Sequence, residues 1–372
     1  MRINGIDAWR FPAPFKVVFR HASASRSEAD NIIVAARGPD AVTGYGEGCP
    51  REYVTGETAE SAAAFIEKYK PSVMRQVEDL EGLRSWIQLH GEEIDANPAS
   101  FCALEIAILD LLGKLEQRSI EGLLGTSRLS GTFSYSAVLG DASLSARQQQ
   151  VEQYWRMGFR DFKVKVSGDA ERDRRKLALL TCHADPNLRI RLDANNFWRD
   201  AADVIGYLKS LDAHVFAIEE PLQSGNLEGF RHVARECAVK VILDESLVRT
   251  GQLKALTDPE CWIVNLRVSK MGGIMRSLEL AQEAVRRGIG LIVGAQVGET
   301  SILTRASLTV MNRHRPEIIA AEGAFGTHLL ERDLSEPGLT FGPEGALKVG
   351  RDLNPASPGL GLEVREDLLV PA

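Results

Sequence analysis

The sequence predicts an α/β protein in which a barrel of parallel strands and helices follows an N-terminal α+β domain. Beyond residue 130, eight runs rich in Val and Ile alternate with amphipathic helical segments, as a parallel sheet that is buried on both faces requires. Before residue 130, short stretches alternate apolar and polar residues, which is typical of antiparallel strands. From about Pro337 the chain is rich in Gly and Pro, and we expect this tail to return and complete the first domain.

The N-terminal domain, residues 1–128, is expected to combine a small sheet with helices. Strands are predicted at Ile3–Trp9, Phe15–Phe19, Asn31–Ala36 and Thr43–Gly48, with a turn at Gly38-Pro39-Asp40. One helix is predicted from Glu57 to Tyr69 with Thr55 as its cap, and another from Ser100 to Leu115. The second helix has an apolar face formed by Leu104, Ile108, Leu111 and Leu112.

The barrel, residues 129–336, takes up the eight apolar runs, and residues 337–372 form the C-terminal segment. We expect barrel strands at Ser134–Leu139, Asp161–Val166, Leu188–Asp193, His214–Glu219, Val239–Asp244, Trp262–Ser269, Ile289–Gly294 and Glu317–Ala321. Eight such units close into a (β/α) TIM-type barrel. The alternative is an open doubly wound sheet, which needs a Gly-rich phosphate turn after its first strand. The sequence Leu139-Gly140-Asp141 is not such a turn.

Composition excludes several classes of partner. The chain has 372 residues with 44 Lys and Arg against 51 Asp and Glu, and its net charge of -7 argues against nucleic acid or a polybasic membrane patch. The five cysteines are scattered without a C-x-x-C pair, which argues against a disulfide framework or a thiolate zinc site and favours a reducing cytoplasm. No apolar leader or stretch long enough to span a membrane is evident. A small-molecule or protein partner is therefore expected.

Charged residues stand at the ends of five successive predicted strands. They are Lys163 and Lys165, Asp193, Glu219, Asp244 and Lys270, and from Lys165 onwards the steps are 28, 26, 25 and 26 residues. Each step is about one β/α unit, so these groups should ring the C-terminal mouth of the barrel. Active sites of such barrels are built at that face.

The three carboxylates at this mouth predict a metal site. A single carboxylate after a strand often only caps the next helix, but Asp193, Glu219 and Asp244 on adjacent strands would crowd like charges unless a cation neutralises them. Three oxygen ligands without His or Cys select a hard cation, which is Mg²⁺ by default with Mn²⁺ as a substitute.

The lysines predict proton transfer beside that metal. Strand periodicity points Lys163 and Lys165 to the same side, and Lys270 is expected across the metal from them. Such lysines can instead serve only as salt-bridge partners. Burial and crowded positive charge lower the pKa of an amine so that it can act as a base. Two opposed bases around a cation suit removal of a proton α to a carboxylate.

These motifs together resemble the enolase superfamily in its muconate-lactonizing branch, within the mandelate racemase/muconate lactonizing enzyme family. The matching stretches are Lys163-x-Lys165, Asp193-x-Asn195, Glu219-Glu220-Pro221, Asp244-Glu245-Ser246, Lys270-Met271-Gly272-Gly273 and Pro358-Gly359-Leu360-Gly361. The resemblance covers nearly the whole chain and implies that the N-terminal domain caps the barrel. It implies that Asp193, Glu219 and Asp244 bind the metal, that Lys165 and Lys270 are the acid/base pair, and that Lys163 assists Lys165.

Further residues bear on the branch and the substrate. The mandelate-racemase base, a His after the seventh strand, is absent from Gly294–Thr300, and the Asp-x-Asp of dipeptide epimerases is replaced by Glu322-Gly323-Ala324. Glu322 is then the candidate contact for a substrate amino group. Other candidates for substrate binding or support of the site are Asn195, Glu299, His21, Arg26, Arg51 and Tyr53. Glu299 is expected either to gate the mouth or to pair with Lys270.

The function predicted from the resemblance is Mg²⁺-dependent racemisation or epimerisation of a small carboxylate, an amino-acid derivative or dipeptide, through an enediolate. Cycloisomerisation and loss of water, as in muconate-lactonizing enzyme or o-succinylbenzoate synthase, are the alternatives with the same intermediate. A non-catalytic binding barrel is the alternative outside enzymes. A cytoplasmic homo-oligomer is expected, without a nucleic-acid or membrane partner.

Overall fold

The computed structural model describes residues 3–20, 25–140 and 144–372, including all their side chains except those of residues 17–20, 25 and 144. The first part is an antiparallel sheet covered by helices. Its strands are β1 (Gly5–Arg20), β2 (Ser25–Arg37) and β3 (Thr43–Gly48), with β2 between the other two. The two strands predicted at Ile3–Trp9 and Phe15–Phe19 are one long strand.

Six helices follow: α1 (Glu52–Thr55), α2 (Ala59–Gln76), α3 (Leu80–Leu89), α4 (Gly91–Ala96), α5 (Pro98–Leu115) and α6 (Ile120–Leu124). The cap predicted for α2 is wrong. Thr58 caps it by accepting a hydrogen bond from the Ser61 amide at 3.1 Å, whereas Thr55 ends α1.

Helix α5 is buried along most of its length and lies directly on β3. Three glycines on one side of β3 permit this approach, because a Cβ at Gly44, Gly46 or Gly48 would lie 2.0–2.2 Å from a carbonyl oxygen of α5. No side chain other than hydrogen fits at such distances. Glycine at every second position of β3 therefore determines where α5 packs on the sheet and how closely it approaches.

The barrel follows after a short strand, β4 (Thr132–Ser134). Its eight parallel strands are β5 (Ala137–Leu139), β6 (Asp161–Lys165), β7 (Arg189–Asp193), β8 (Ala217–Glu219), β9 (Lys240–Leu243), β10 (Trp262–Leu266), β11 (Gly290–Val293) and β12 (Ile318–Ala321), hydrogen-bonded in sequence order. The amide of Ser136 donates to Ala321 O at 2.8 Å and joins the first strand to the last. The predicted barrel is confirmed.

All eight barrel strands are shorter than predicted, most of them by one or two residues, and the fourth begins at Ala217 rather than His214. The first divides into β4 and β5. The sixth ends at Leu266 rather than Ser269, and a short helix, α11 (Val268–Met271), follows it. The other helices around the barrel are α7 (Leu144–Arg156), α8 (Ala170–Thr181), α9 (Ala201–Ser210), α10 (Leu227–Cys237), α12 (Ile274–Arg286) and α13 (Ser301–Arg313). Within the described residues, no helix has the length and apolar character that crossing a bilayer demands.

The C-terminal segment contains short strands and returns to the first sheet. The strands are β13 (Ser335–Glu336), β14 (Ala346–Lys348), β15 (Glu363–Val364) and β16 (Val370–Pro371), and β16 pairs with β1. The Leu360 amide donates to Asp110 Oδ1 of α5 at 2.8 Å, and the Gly359 amide donates to Arg118 O at 2.8 Å.

Two buried carboxylates tie the N-terminal elements to barrel helices. Glu47 of β3 accepts from the Thr300 amide at 3.0 Å and hydroxyl at 2.6 Å and from the Leu303 amide at 3.1 Å, at the start of α13. Glu105 of α5 accepts from the amides of Ile274 and Met275, at 2.6 and 2.9 Å, at the start of α12. Each carboxylate satisfies amides that a helix N-terminus leaves without partners.

Candidate active site

The strand ends place the predicted charged residues together at the C-terminal mouth of the barrel. Lys165 is in register with Asp193 on the neighbouring strand, and Asp193 is in register with Glu219 on the next one. Asp244 follows β9 directly. All four side chains are buried, with at most 9% of each residue exposed.

A cavity of about 530 Å³ opens at this mouth. Charged and polar groups line part of it, namely Lys163, Lys165, Asp193, Asn195, Glu245, Arg267, Gln296, Glu299 and Glu322. Apolar side chains also line it, including Val138, Tyr154, Met157, Phe325, Leu329 and Phe341. Tyr53, predicted as a substrate-loop residue, lies on α1 and also lines the cavity.

Lys163 lies among the carboxylates. Its Nζ is 3.2 Å from Asp193 Oδ2, 2.8 Å from Glu219 Oε2 and 3.2 Å from Glu322 Oε2. Burial by itself would lower the pKa of Lys163, but the charges of Asp193, Glu219 and Glu322 raise it above its ordinary value. Lys163 is therefore a fixed positive charge within this ring.

Lys165 has a different electrostatic environment. Its Nζ donates to Asn195 Oδ1 at 3.2 Å, and the Asn195 amide group in turn donates to Asp193 Oδ1 at 2.7 Å. Burial lowers the pKa of Lys165, and the positive charges of Lys163 and Arg267 add to this shift. Lys165 is thus an amine at the cavity wall that gives up its proton more readily than an ordinary lysine.

The predicted placement of Lys270 is wrong. It lies on α11, completely buried, and its ammonium group donates to Asp244 O, Asp244 Oδ1 and Asn265 O at 2.7–2.9 Å. Among the residues that the structure describes, the cavity lining includes Arg267 and not Lys270. The strand ends one helical turn earlier than predicted, so the cation that faces the cavity is three residues upstream.

Arg267 was not among the predicted site residues. Its guanidinium pairs with Asp244 and donates to Gln296 Oε1 at 3.0 Å. The charges of Asp244, Glu245 and Glu219 outweigh the effect of burial and raise its pKa above the ordinary value. The other mouth residues were identified in the sequence because they end or directly follow apolar strands. Arg267 also directly follows an apolar strand and could have been found by the same signal.

The carboxylate of Glu322 is held by cations of the protein itself. Oε1 accepts from Arg191 Nη2 at 2.8 Å while Oε2 faces Lys163. Arg191 is completely buried and also donates to Ser136 and Asp161, at 3.1 and 2.5 Å. It lies two residues before Asp193 on β7 and so shares its side of the strand. Glu322 was predicted to bind a substrate amino group, but both oxygens of its carboxylate are already paired with cations of the protein.

The other predicted residues fall into different places. Glu299 lines the cavity and accepts from the Gln296 amide at 2.6 Å, and burial raises its pKa to about 8; the alternative of a pair with Lys270 is not observed. Arg51 is buried and donates to Asn31 and to Val297 O, at 2.9 and 2.7 Å, so it supports the loop after β11. Arg26 is partly buried, and His21 lies outside the described residues.

The donor set of the mouth fits Mg²⁺. Asp193, Glu219 and Asp244 provide carboxylate oxygens on successive strands, and burial together with the neighbouring carboxylates raises the pKa of Glu219 well above its ordinary value. Such crowding calls for a cation. In the described part of the chain, no three acidic, His or Cys side chains are already arranged around one metal-sized point. In the structure, Lys163 and Arg267 contact carboxylates of this set.

Comparison with known proteins agrees with this site. A family model described as enolase C-terminal domain-like matches residues 146–368. The N-succinyl-L-Arg/Lys racemase of Bacillus cereus is 25% identical over 377 residues, which cover 99% of this chain and 97% of that protein.

Two solved structures share the fold. A dipeptide epimerase from Methylococcus capsulatus, in complex with Mg and L-Arg-D-Lys, is 27% identical with a TM-score of 0.83 and coverage of 98% of this chain and 100% of the other. The muconate lactonizing enzyme of Pseudomonas fluorescens is 22% identical with a TM-score of 0.86 and coverage of 99% and 98%. The resemblance predicted from the motifs is thus confirmed. The family model matches more than half of the residues of this chain, and the chain therefore belongs to the enolase C-terminal domain-like family.

Proposed function

We propose that the protein is an isomerase that removes the α-proton of a carboxylate substrate and so racemises or epimerises an amino-acid derivative. The observation that carries this proposal is the position of Lys165, a buried amine at the cavity wall in register with Asp193, which is itself in register with Glu219. The relatives named as racemase and epimerase support the same reaction class.

Each residue of the mouth has a separate task in this proposal. Asp193, Glu219 and Asp244 would hold Mg²⁺, or Mn²⁺ in its place, and the ion when bound supplies positive charge beside the substrate carboxylate. Lys165 takes the proton from the α-carbon, and Asn195 orients its amine through the 3.2 Å hydrogen bond. Lys163 keeps the carboxylate ring together as a permanent cation.

The apolar part of the cavity lining favours an uncharged substrate group. It includes Met157, Phe325 and Phe341, and Glu322, the predicted contact for an amino group, is already paired with Arg191 and Lys163. A free α-ammonium group at Glu322 would therefore lose its hydration without gaining an unpaired carboxylate. Acylated amino acids and peptides with apolar side chains fit this lining better than short peptides that place an ammonium group at Glu322.

One observation favours a second candidate. Arg267 lines the cavity where a second amine was predicted, and a guanidinium is a poor base. Cycloisomerisation or loss of water from the same intermediate requires only one base, so Lys165 would suffice for either reaction.

The test is α-proton exchange in D₂O with Mg²⁺, followed by proton NMR over a panel of N-acetyl amino acids, N-succinyl amino acids and dipeptides. We expect deuterium at the α-carbon of at least one apolar member, together with the opposite stereoisomer. Lys165→Met keeps the apolar stem but not the amine and should abolish exchange. Absence of exchange from every panel member with the Mg²⁺-loaded wild-type protein would contradict the proposal.

We propose that residues 1–128 and 337–372 together cap a barrel formed by residues 129–336, and the hydrogen bonds of Leu360 with Asp110 of α5 and of Gly359 with Arg118, which follows α5, support this division. The unpaired cysteines support a reducing cytoplasm. A homo-oligomer remains an expectation from the resemblance, and size-exclusion chromatography with light scattering tests it.

A further inference from the structure

Two cavity residues face each other across the barrel. Lys165 is the last residue of β6, and Arg267 directly follows β10. Strands β7, β8 and β9 separate these two strands in a sheet of eight. Strands four positions apart in a closed eight-stranded barrel lie on opposite sides of its axis, so a substrate at the mouth would lie between Lys165 and Arg267.

Arg267 is held so that its charge is directed into the mouth. Its guanidinium contacts Asp244, lies 3.8 Å from Glu219 Oε1 and donates to Gln296, another cavity residue. Its side chain is 12% exposed, and its Nε has no hydrogen-bond partner among the described groups. The side chain is thus mostly buried, and Arg267 contributes to the cavity lining.

Lys270, by contrast, is fully engaged in hydrogen bonds to Asp244 and its surroundings. An ammonium group has three N–H donors, and all three are used within the protein, on the carbonyl and carboxylate of Asp244 and on the Asn265 carbonyl. None of its surface is exposed. To reach a substrate it would have to break these bonds and pass Asp244.

We infer that Arg267 is the catalytic group on the second face of the substrate's α-carbon, and that Lys270 is a positioning residue that acts through Asp244. This inference rests on the proposed function. Lys165 as a neutral amine accepts the α-proton, and the electron pair of the broken C–H bond remains on the substrate, where the guanidinium of Arg267 stabilises it. Inversion then requires a guanidinium proton to form the new C–H bond on the second face, which leaves a neutral guanidine.

That return step is unfavourable, because a guanidinium in a protein keeps its proton, whereas an ammonium group can give one up. A positioned acid contributes about 100-fold or more to a proton-transfer step, so exchange of the epimer whose α-proton faces Lys165 should be at least about 100-fold faster than interconversion of the two epimers. A two-lysine site would instead exchange both epimers at comparable rates.

Two matched substitutions, Arg267→Lys and Lys270→Arg, test which of the two residues acts on the second face of the substrate. With the best substrate of the panel in D₂O, Arg267→Lys should raise interconversion relative to exchange at least tenfold, because it supplies an amine on the second face. Lys270→Arg should lower exchange of both epimers together and weaken Mg²⁺ binding about tenfold in calorimetric titration, because Asp244 loses its support. Loss of exchange for one epimer alone in Lys270→Arg, with an unchanged ratio in Arg267→Lys, would overturn the inference.

Chemical labelling of the native wild-type protein decides the same point without turnover. Phenylglyoxal should modify Arg267, and acetic anhydride should modify Lys165, as read by peptide mass spectrometry, whereas Lys270 should react only after unfolding. Acetylation of native Lys270 as fast as Lys165 would overturn the inference. If the wild-type protein exchanges no α-proton at all, the proposed function fails, while the labelling still shows which cation faces the cavity.

Discussion

Replacement of Glu47 by Gln should change how stability depends on pH. The Glu47 carboxylate is completely buried between the N-terminal sheet and α13, where it accepts hydrogen bonds from Thr300, Leu303 and Asn31. Despite these donors, burial raises its pKa from 4.5 to about 7. The folded state therefore holds this proton more tightly than the unfolded chain.

The size and sign of the effect follow from that shift. A shift of about 2.5 pKa units corresponds to about 3 kcal/mol. Because the pKa is raised on folding, this stabilisation is present at pH values below the unfolded pKa and is lost as the pH rises through about 7. Between about pH 4.5 and pH 8 the wild-type protein should lose about 3 kcal/mol through Glu47. Glu105, whose pKa burial also raises to about 7, should add a similar loss.

Urea denaturation followed by far-UV circular dichroism at several pH values measures this effect. Glu47→Gln lacks the titrating group, so the loss of unfolding free energy between pH 4.5 and pH 8 should be about 3 kcal/mol smaller than in the wild type. Glu67→Gln, which removes an exposed carboxylate, is the control for the change in charge. A Glu47→Gln profile that runs parallel to the wild-type profile would refute the reasoning.

The remaining predictions concern the metal ligands, the buried arginine and a glycine at the start of α12. Glu219→Gln removes one proposed Mg²⁺ ligand and should weaken Mg²⁺ binding at least about tenfold in calorimetry, with an unchanged far-UV spectrum. Arg191→Met removes one of the two cations that pair with the buried Glu322 and should lower the free energy of unfolding, measured by urea denaturation, by about 3–5 kcal/mol. A variant as stable as the wild type would contradict this. Gly273→Ala places a Cβ 2.2 Å from a buried carboxylate oxygen at a φ of 107° and should cost about 2–4 kcal/mol, whereas Gly91→Ala, with open space around it, should not.

The architecture was readable from the sequence because its signals are local. Apolar runs such as those of β9 and β11 need only short-range periodicity to be recognised, and the repeat of about 26 residues between mouth groups follows from the length of one β/α unit. The single long strand β1 was missed because Pro12 and Pro14 suggest a break. In the structure, β1 pairs with β2 across both prolines.

The signal for the three carboxylates that are proposed to bind the metal was equally local. Asp193, Glu219 and Asp244 end or directly follow their strands, and a parallel barrel brings such positions to one face whatever the rest of the chain does. Lys163 and Lys165 were placed correctly at the mouth for the same reason. Which of the two lysines has a raised pKa and which a lowered one was not readable, because that depends on how deeply each amine is buried and on the charges around it.

By itself, then, the sequence determined the barrel, the ring of charges at its mouth and the family. Only the tertiary structure decided that Arg267 faces the cavity and Lys270 turns away, because the end of β10 and the helical turn of α11 set the direction of each side chain. It also decided that Glu322 is paired with Arg191, 131 residues away in the chain. Strand ends and spacings are properties of neighbouring residues, whereas the pairing of buried charges depends on which strands the closed barrel brings together.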